Sequence, residues 1–271
     1  MRFFNTEGPI RPDDHYGLPP LSRWDLDEVL ALLDRKKYFV LHAPRQTGKT
    51  TCLLALMEYL NRGGRYRTLY ANIEGAQTAR EDVDQGMATI CSVLGRSARL
   101  YLKDPRLAEW YRDGGAAVPA GDRLVQALEF WAAADPRPAV LLLDEVDALV
   151  GDTLVSLLRQ LRAGYNQRPG AFPQAVILCG VRDLRDYRIH ARSEPSPITG
   201  GSAFNIKAES LRLVEPEWHA EPGAPAGGLS RLLASARPAA PGQRPLPRDR
   251  PAPGADGLPA SCRQRRRDTG A

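Results

Sequence analysis

Apolar residues fall into two rhythms along this chain, and the two alternate. Short unbroken runs at 38–41, 139–143 and 175–179 have the length of strands buried on both faces. Residues 68–73 alternate well enough for a further strand, and 204–214, with Ile206, Leu211 and Leu213, reads as a last one. Between these runs Leu and Val recur every three or four positions, the spacing of a helix face. One such face carries Leu26, Val29, Leu30 and Leu33 behind a cap at Ser22 or Asp25, and another carries Leu53, Leu54, Leu56, Met57 and Leu60 and stops at Gly63-Gly64. Residues 79–102 read as helix with a break expected near Gly95. Asp122 is expected to cap a helix to Ala134, and Asp152 one bearing Leu154, Val155, Leu157, Leu158 and Leu161. The stretch 104–121 holds two Pro and three Gly and reads as loop, as do the turn-rich lead-in 9–22 and the segment 193–202. About five strands separated by helices predict an α/β fold, a doubly wound, mainly parallel five-stranded sheet.

From Glu215 the pattern stops. Ten of the 23 prolines lie there, with abundant Gly, Ala and Arg and no Lys, Ile, Phe or Tyr. Such a segment buries too little apolar surface to offset its ordering entropy, so a disordered tail is expected. The expected division is 1–36 as lead-in and helix, 37–214 as core and 215–271 as tail. The shift is abrupt enough to suggest a truncated or out-of-frame C-terminus.

The chemistry concentrates at strand ends. The run at 38–41 leads through a turn at Pro44 into Arg45-Gln46-Thr47-Gly48-Lys49-Thr50-Thr51 and then into helical spacing. Strand, loop ending in Gly-Lys-Thr, helix is the arrangement that cradles phosphates. Backbone N–H groups and the helix dipole face the anion, Lys49 neutralises the β- and γ-phosphates, and the Thr50 hydroxyl ligates Mg²⁺. Residues 44–51 are therefore the expected nucleotide contacts. Ala43 stands where the strict pattern has glycine, and a left-handed alanine there would cost about 1–2 kcal/mol.

The strand at 139–143 ends in Asp144-Glu145-Val146-Asp147. Ligands of open α/β sheets bind at that end of the strands. Asp144 is expected to hold the Mg²⁺ through water, and Glu145 to orient the attacking water and take its proton. Arg182, just past the strand at 175–179, has two readings: a side chain reaching the γ-phosphate, or a helix-start arginine paired with Asp183 or Asp186. Arg185, Arg188 and Arg192 read as a solvated basic face. His15, Tyr16 and Pro19 precede the phosphate loop and read as packing residues, with contact to a nucleotide base as the alternative.

Charge and cysteines narrow the classes. Of the net +5, the segment from Glu215 on supplies +3, nine Arg against six acidic residues, which leaves +2 for the first 214 residues. A nucleic-acid partner is thus possible but not supported by the core charge. Cys52, Cys91, Cys179 and Cys262 are far apart without metal-ligand spacing, so a reducing compartment is expected and a structural zinc is not. No signal peptide and no membrane span are expected, and the expected location is the cytoplasm.

With His42-Ala-Pro-Arg-Gln-Thr-Gly-Lys-Thr50, Leu141-Leu-Leu-Asp-Glu-Val-Asp147 and Cys179-Gly-Val-Arg182 in this order, the chain resembles the AAA-like P-loop ATPases of bacteria and archaea. Within the ASCE division it looks closest to the branch related to STAND signalling ATPases, and Ala203-Phe-Asn-Ile-Lys207 is similar to a segment of that branch. The resemblance covers roughly residues 1–213. It implies ATP rather than GTP, Mg²⁺, a phosphate-sensing role for Arg182, and a helical lid where this chain has its Pro- and Arg-rich segment. A switch or motor module that hydrolyses ATP and acts on a protein partner or by self-association is the leading expectation. The alternatives are a nucleotide-binding interaction module that lacks its lid and does not turn over, and a P-loop kinase. Asp144-Glu145 favours hydrolysis over the kinase.

Overall fold

The computed structural model describes residues 3–4, 8–9, 13–17, 19–181, 188–190, 195–197 and 207–213. Arg182 and the segment from residue 214 on, on which several of the expectations above fall, lie outside the described residues.

Five strands form one sheet: β1 (Tyr38–His42), β2 (Arg67–Asn72), β3 (Ala139–Asp144), β4 (Ala175–Gly180) and β5 (Lys207–Arg212). Their order is β2-β3-β4-β1-β5 and every pairing is parallel. Among the described residues six α-helices flank them: α1 (Leu26–Asp34), which precedes β1, α2 (Lys49–Arg62), α3 (Val83–Leu102), α4 (Arg106–Asp113), α5 (Ala120–Ala133) and α6 (Gly151–Ala163).

Unbroken apolar runs are what a sheet covered on both faces requires, because successive side chains point to opposite sides. Tyr38, Val40, Leu69, Leu141, Leu143 and Leu178 pack with apolar residues of α3, α5 and α6. Their alternates Phe39, Leu41, Tyr70, Leu142 and Ile177 pack with α1 and α2. The doubly wound, parallel α/β sheet predicted from the sequence is therefore the fold.

Details depart from the pattern. Asp25 is the α1 cap, accepting the Glu28 N–H at 3.0 Å, whereas Ser22 bonds Pro19 inside a 3₁₀ turn, Pro20–Arg23. Helix α5 begins at Ala120 behind Pro119 and α6 at Gly151 behind Val150, with no side-chain cap on either. Asp122 and Asp152 lie inside the first turns, where a carboxylate complements the helix dipole without capping. The predicted loop 104–121 contains α4, whose Leu107 is buried in the α3/α5 core. Gly95 does not break α3. A Cβ there would lie 2.9 Å from the Ala108 Cα, so the glycine lets α4 cross α3 at close range. A short helix with one buried leucine leaves too weak a periodic signal to see in the sequence.

Around the opening of α4, Arg67 is buried and paired with Asp104, and it also donates to the Trp131 carbonyl at 2.8 Å. Arg106 and Arg137 close the network on Asp104 and Asp135. A cavity of about 520 Å³ opens beside these groups, at the end of the sheet where β2 begins.

Candidate functional site

The C-terminal ends of β1 and β3 bring the candidate residues together. Ala43 leaves β1 with its N–H on the Gly180 carbonyl of β4, 3.3 Å away. Pro44, Arg45 and Gln46 form the exposed crown of the loop, and the Thr47 hydroxyl donates back to the Pro44 carbonyl at 2.8 Å. Two positions take left-handed backbone, Gln46 at φ 62° and Gly48 at φ 79°; Ala43 is not among the positive-φ residues, so the strain considered for it does not arise. Gly48 is the N-cap of α2 and offers no side chain to cap it. That leaves the start of a 14-residue helix as a donor face, which the dipole makes attractive to anions. A Cβ on Gly48 would also meet the Arg23 guanidinium at 3.0 Å. Arg23, from the 3₁₀ turn before α1, donates to the Thr47 carbonyl and ties the lead-in to the loop.

Lys49 is buried, and its ammonium donates to the carbonyls of Ala43 at 3.0 Å and Pro44 at 2.9 Å. The cation is folded onto its own loop. Thr50, next on the helix, donates its hydroxyl to Asp144 Oδ2 at 2.7 Å, and Thr51 is buried behind it.

Asp144 is fully buried at the end of β3. A buried carboxylate needs donors on both oxygens. Oδ2 accepts from Thr50 and, at 3.0 Å, from the Tyr70 hydroxyl; Oδ1 accepts from the Glu145 N–H at 3.0 Å. The Cys179 thiol of β4 lies near this carboxylate, and burial first, with the Asp144 charge behind it, pushes that thiol well above the ordinary range.

Glu145 follows in left-handed backbone, φ 58°, half-buried, and opens a 3₁₀ turn, Val146–Ala148. Burial raises its carboxyl above the usual range, Asp144, Asp147 and Glu74 push the same way, and Lys49 opposes them. A carboxylate made more basic in this way suits proton abstraction near neutral pH.

Lys49, Thr50, Asp144 and Glu145 are thus gathered at one end of the sheet. His15 instead stacks edge-on with Phe3, ring centres 4.8 Å apart. Tyr70, Arg23 and Cys179 were not legible as site residues. Each reaches the site from another element, and only the strand register, Asn72 beside Asp144 and Leu143 beside Leu178, brings Tyr70 and Cys179 to the carboxylate. A second cavity, about 190 Å³, lies next to the loop and is lined by Arg23, Trp24, Val29, Leu41, Leu211 and Leu213 among others.

A five-stranded parallel sheet with a glycine-lysine-threonine loop at the head of α2 and an aspartate-glutamate pair at the end of β3 defines a P-loop nucleotide-binding domain of the ATPase type. The family model for the AAA domain matches residues 33–187, more than half of the chain. The chain belongs to that family and is an AAA-like P-loop ATPase. Nucleotide binding of the ATPase type is the function of the class, usually with Mg²⁺. A search of curated proteins gives no match. Among solved structures the chain is similar to Cdc6p from Pyrobaculum aerophilum, with 21% identity over 71% of this chain and 44% of that one and a TM-score of 0.44. It is also similar to the Orc1 protein of Aeropyrum pernix, solved in complex with DNA, with 20% identity over 81% of this chain and 49% of that one and a TM-score of 0.38. The chain spans less than half the length of either. No helix among the described residues is long and apolar enough to cross a membrane.

Proposed function

We propose that the chain binds ATP on the loop 44–51 and hydrolyses it, and that the exchange of ATP for ADP switches its association with a protein partner or a second copy. The observation that carries this is the meeting of Thr50, Asp144 and Glu145 at 2.7–3.0 Å contacts beside a helix N-terminus that no side chain caps.

In this reading the triphosphate takes the helix N–H groups, and the Lys49 ammonium exchanges two loop carbonyls for β- and γ-phosphate oxygens. The Thr50 hydroxyl and the Asp144 carboxylate are the hard oxygen donors that fit Mg²⁺, an ion that keeps most of its shell as water and phosphate oxygen. When bound, that ion supplies charge neutralisation across the β- and γ-phosphates. Glu145 accepts a proton from water as the water oxygen bonds to the γ-phosphorus, and the bond to the β,γ-bridging oxygen breaks with ADP as leaving group. Arg182 is assigned to sensing the γ-phosphate. The cavity beside Arg23 and Trp24, lined by both apolar and charged side chains, is assigned to the base. The core charge does not support a nucleic-acid partner, because the excess lies mostly beyond residue 214.

Phosphate release from ATP with no acceptor present, together with the affinity of a fluorescent ATP analogue, tests this. Lys49→Ala is expected to abolish binding in a folded chain, since it removes the charge that faces the phosphates. Wild-type-like affinity in that variant would remove the loop from the nucleotide site. Tight MgATP binding without turnover in the wild type would leave a binding module and no hydrolase.

A further inference from the structure

We infer that Tyr70 is a positioning residue for the metal-binding carboxylate, acting through Asp144; this rests on the nucleotide site proposed above. Tyr70 belongs to β2, which shares no loop with the phosphate site. Parallel register sets Tyr70 beside Leu142 and Asn72 beside Asp144, so a tyrosine two residues back along β2 is long enough to bring its hydroxyl up to the carboxylate. The contact is 3.0 Å, to the same Oδ2 that accepts the Thr50 hydroxyl.

The ring is 5% exposed, packed in the α1/α2 core with the Tyr101 ring edge-on at 5.9 Å. Phenylalanine would fill that space with no polar atom to satisfy. A buried hydroxyl is unfavourable unless it is paired, so packing gives no reason for it. What the hydroxyl adds is a second anchor on Oδ2, delivered from the sheet. The Thr50 hydroxyl is an anchor with two duties, because its lone pairs are the ones that fit the metal. Without Tyr70 the carboxylate keeps the Glu145 N–H on Oδ1 but holds Oδ2 through Thr50 alone, the hydroxyl that must also serve the metal, so its terminal torsion, broad for an aspartate, is less constrained. With Tyr70 on Oδ2 and the Glu145 N–H on Oδ1, the plane is fixed before any ion arrives. Prior fixing of ligands is what a second layer of hydrogen bonds does at metal sites, and its loss typically costs 10–100-fold in metal affinity.

The test is Tyr70→Phe, read by binding of a fluorescent ATP analogue in EDTA and across a Mg²⁺ titration. The expected result is unchanged affinity in EDTA and a Mg²⁺ concentration for half-maximal effect raised about 10-fold. In an Asp144→Asn background, Tyr70→Phe is expected to add nothing, since its effect runs through that carboxylate. An unchanged Mg²⁺ dependence would overturn the inference, as would additive effects in the double variant. A Tyr70→Phe chain that no longer folds would overturn it too, by making the hydroxyl a stability element. Wild-type protein that binds no nucleotide would instead remove the site reading, an outcome distinct from all three.

Discussion

Replacing Glu145 by glutamine separates the base from the binding site, and the structure sets what else should change. Glutamine keeps the size and one acceptor oxygen but takes no proton from water. The left-handed backbone at φ 58° belongs to either residue equally, and the N–H that holds Asp144 Oδ1 is a backbone group that survives the exchange. Lys49, Thr50 and Asp144 keep their contacts, so MgATP affinity should stay at or above wild type. A general base contributes about 10²–10⁴-fold in rate, which is about 2.7–5.4 kcal/mol of barrier. Glu145 sits among Asp144, Asp147 and Glu74 and titrates above the ordinary range. Folded, it therefore holds its proton more readily than unfolded, and the empty protein loses stability as pH rises between the two values. Glutamine removes that loss. The variant should melt no lower than wild type at pH 8, and the difference should close below the ordinary glutamate value of about 4.3. Single-turnover hydrolysis with saturating Mg²⁺, analogue affinity and melting at both pH values complete the assay. Hydrolysis at the wild-type rate would refute the role of Glu145, and a stable variant that no longer binds MgATP would show that the carboxylate serves binding.

Asp104→Ala leaves the buried Arg67 with the Trp131 carbonyl and a more distant Asp135, 3.9 Å away, so a loss of about 3 kcal/mol is expected in urea unfolding. Hydrogen bonds from Arg106 hold Asp104 below the usual carboxylate range, so the stability it contributes is present above that range and lost as pH falls through its depressed value. Wild type and variant should therefore converge in acid; a gap that persists at low pH would refute the ion-pair account. Gly164→Ala sets a Cβ into the ring of the fully buried Phe172 and should cost about 1–3 kcal/mol; a neutral result would show that the ring has room to move.

The fold was legible because a sheet covered on both faces writes itself as unbroken apolar runs, and Lys49 and Asp144 each end such a run or open the helix after one. Helix starts were less legible. Asp122 and Asp152 look like caps, and only backbone geometry shows that Ala120 and Gly151 already lead the helix. The least legible part was the surround of Asp144. Nothing near Tyr70 in the chain marks it, because its partner lies 74 residues away and the meeting depends on the register of two parallel strands. Gly95 misled for a related reason, since a glycine in a helical pattern reads alike whether it breaks the helix or admits a neighbour.

The strand order bears on synthesis. β1 is made first of the five, yet it sits between β4 and β5, strands that come from the other end of the domain. About 165 residues separate His42 from Lys207. At roughly 5–20 residues per second a ribosome needs about 8–33 s to make them. Through that interval Tyr38-Phe39-Val40-Leu41 has at least one row of backbone N–H and C=O groups without its native partner, an edge that invites foreign strands. The strand that carries the nucleotide loop is the earliest to leave the ribosome and the last to be paired on both sides.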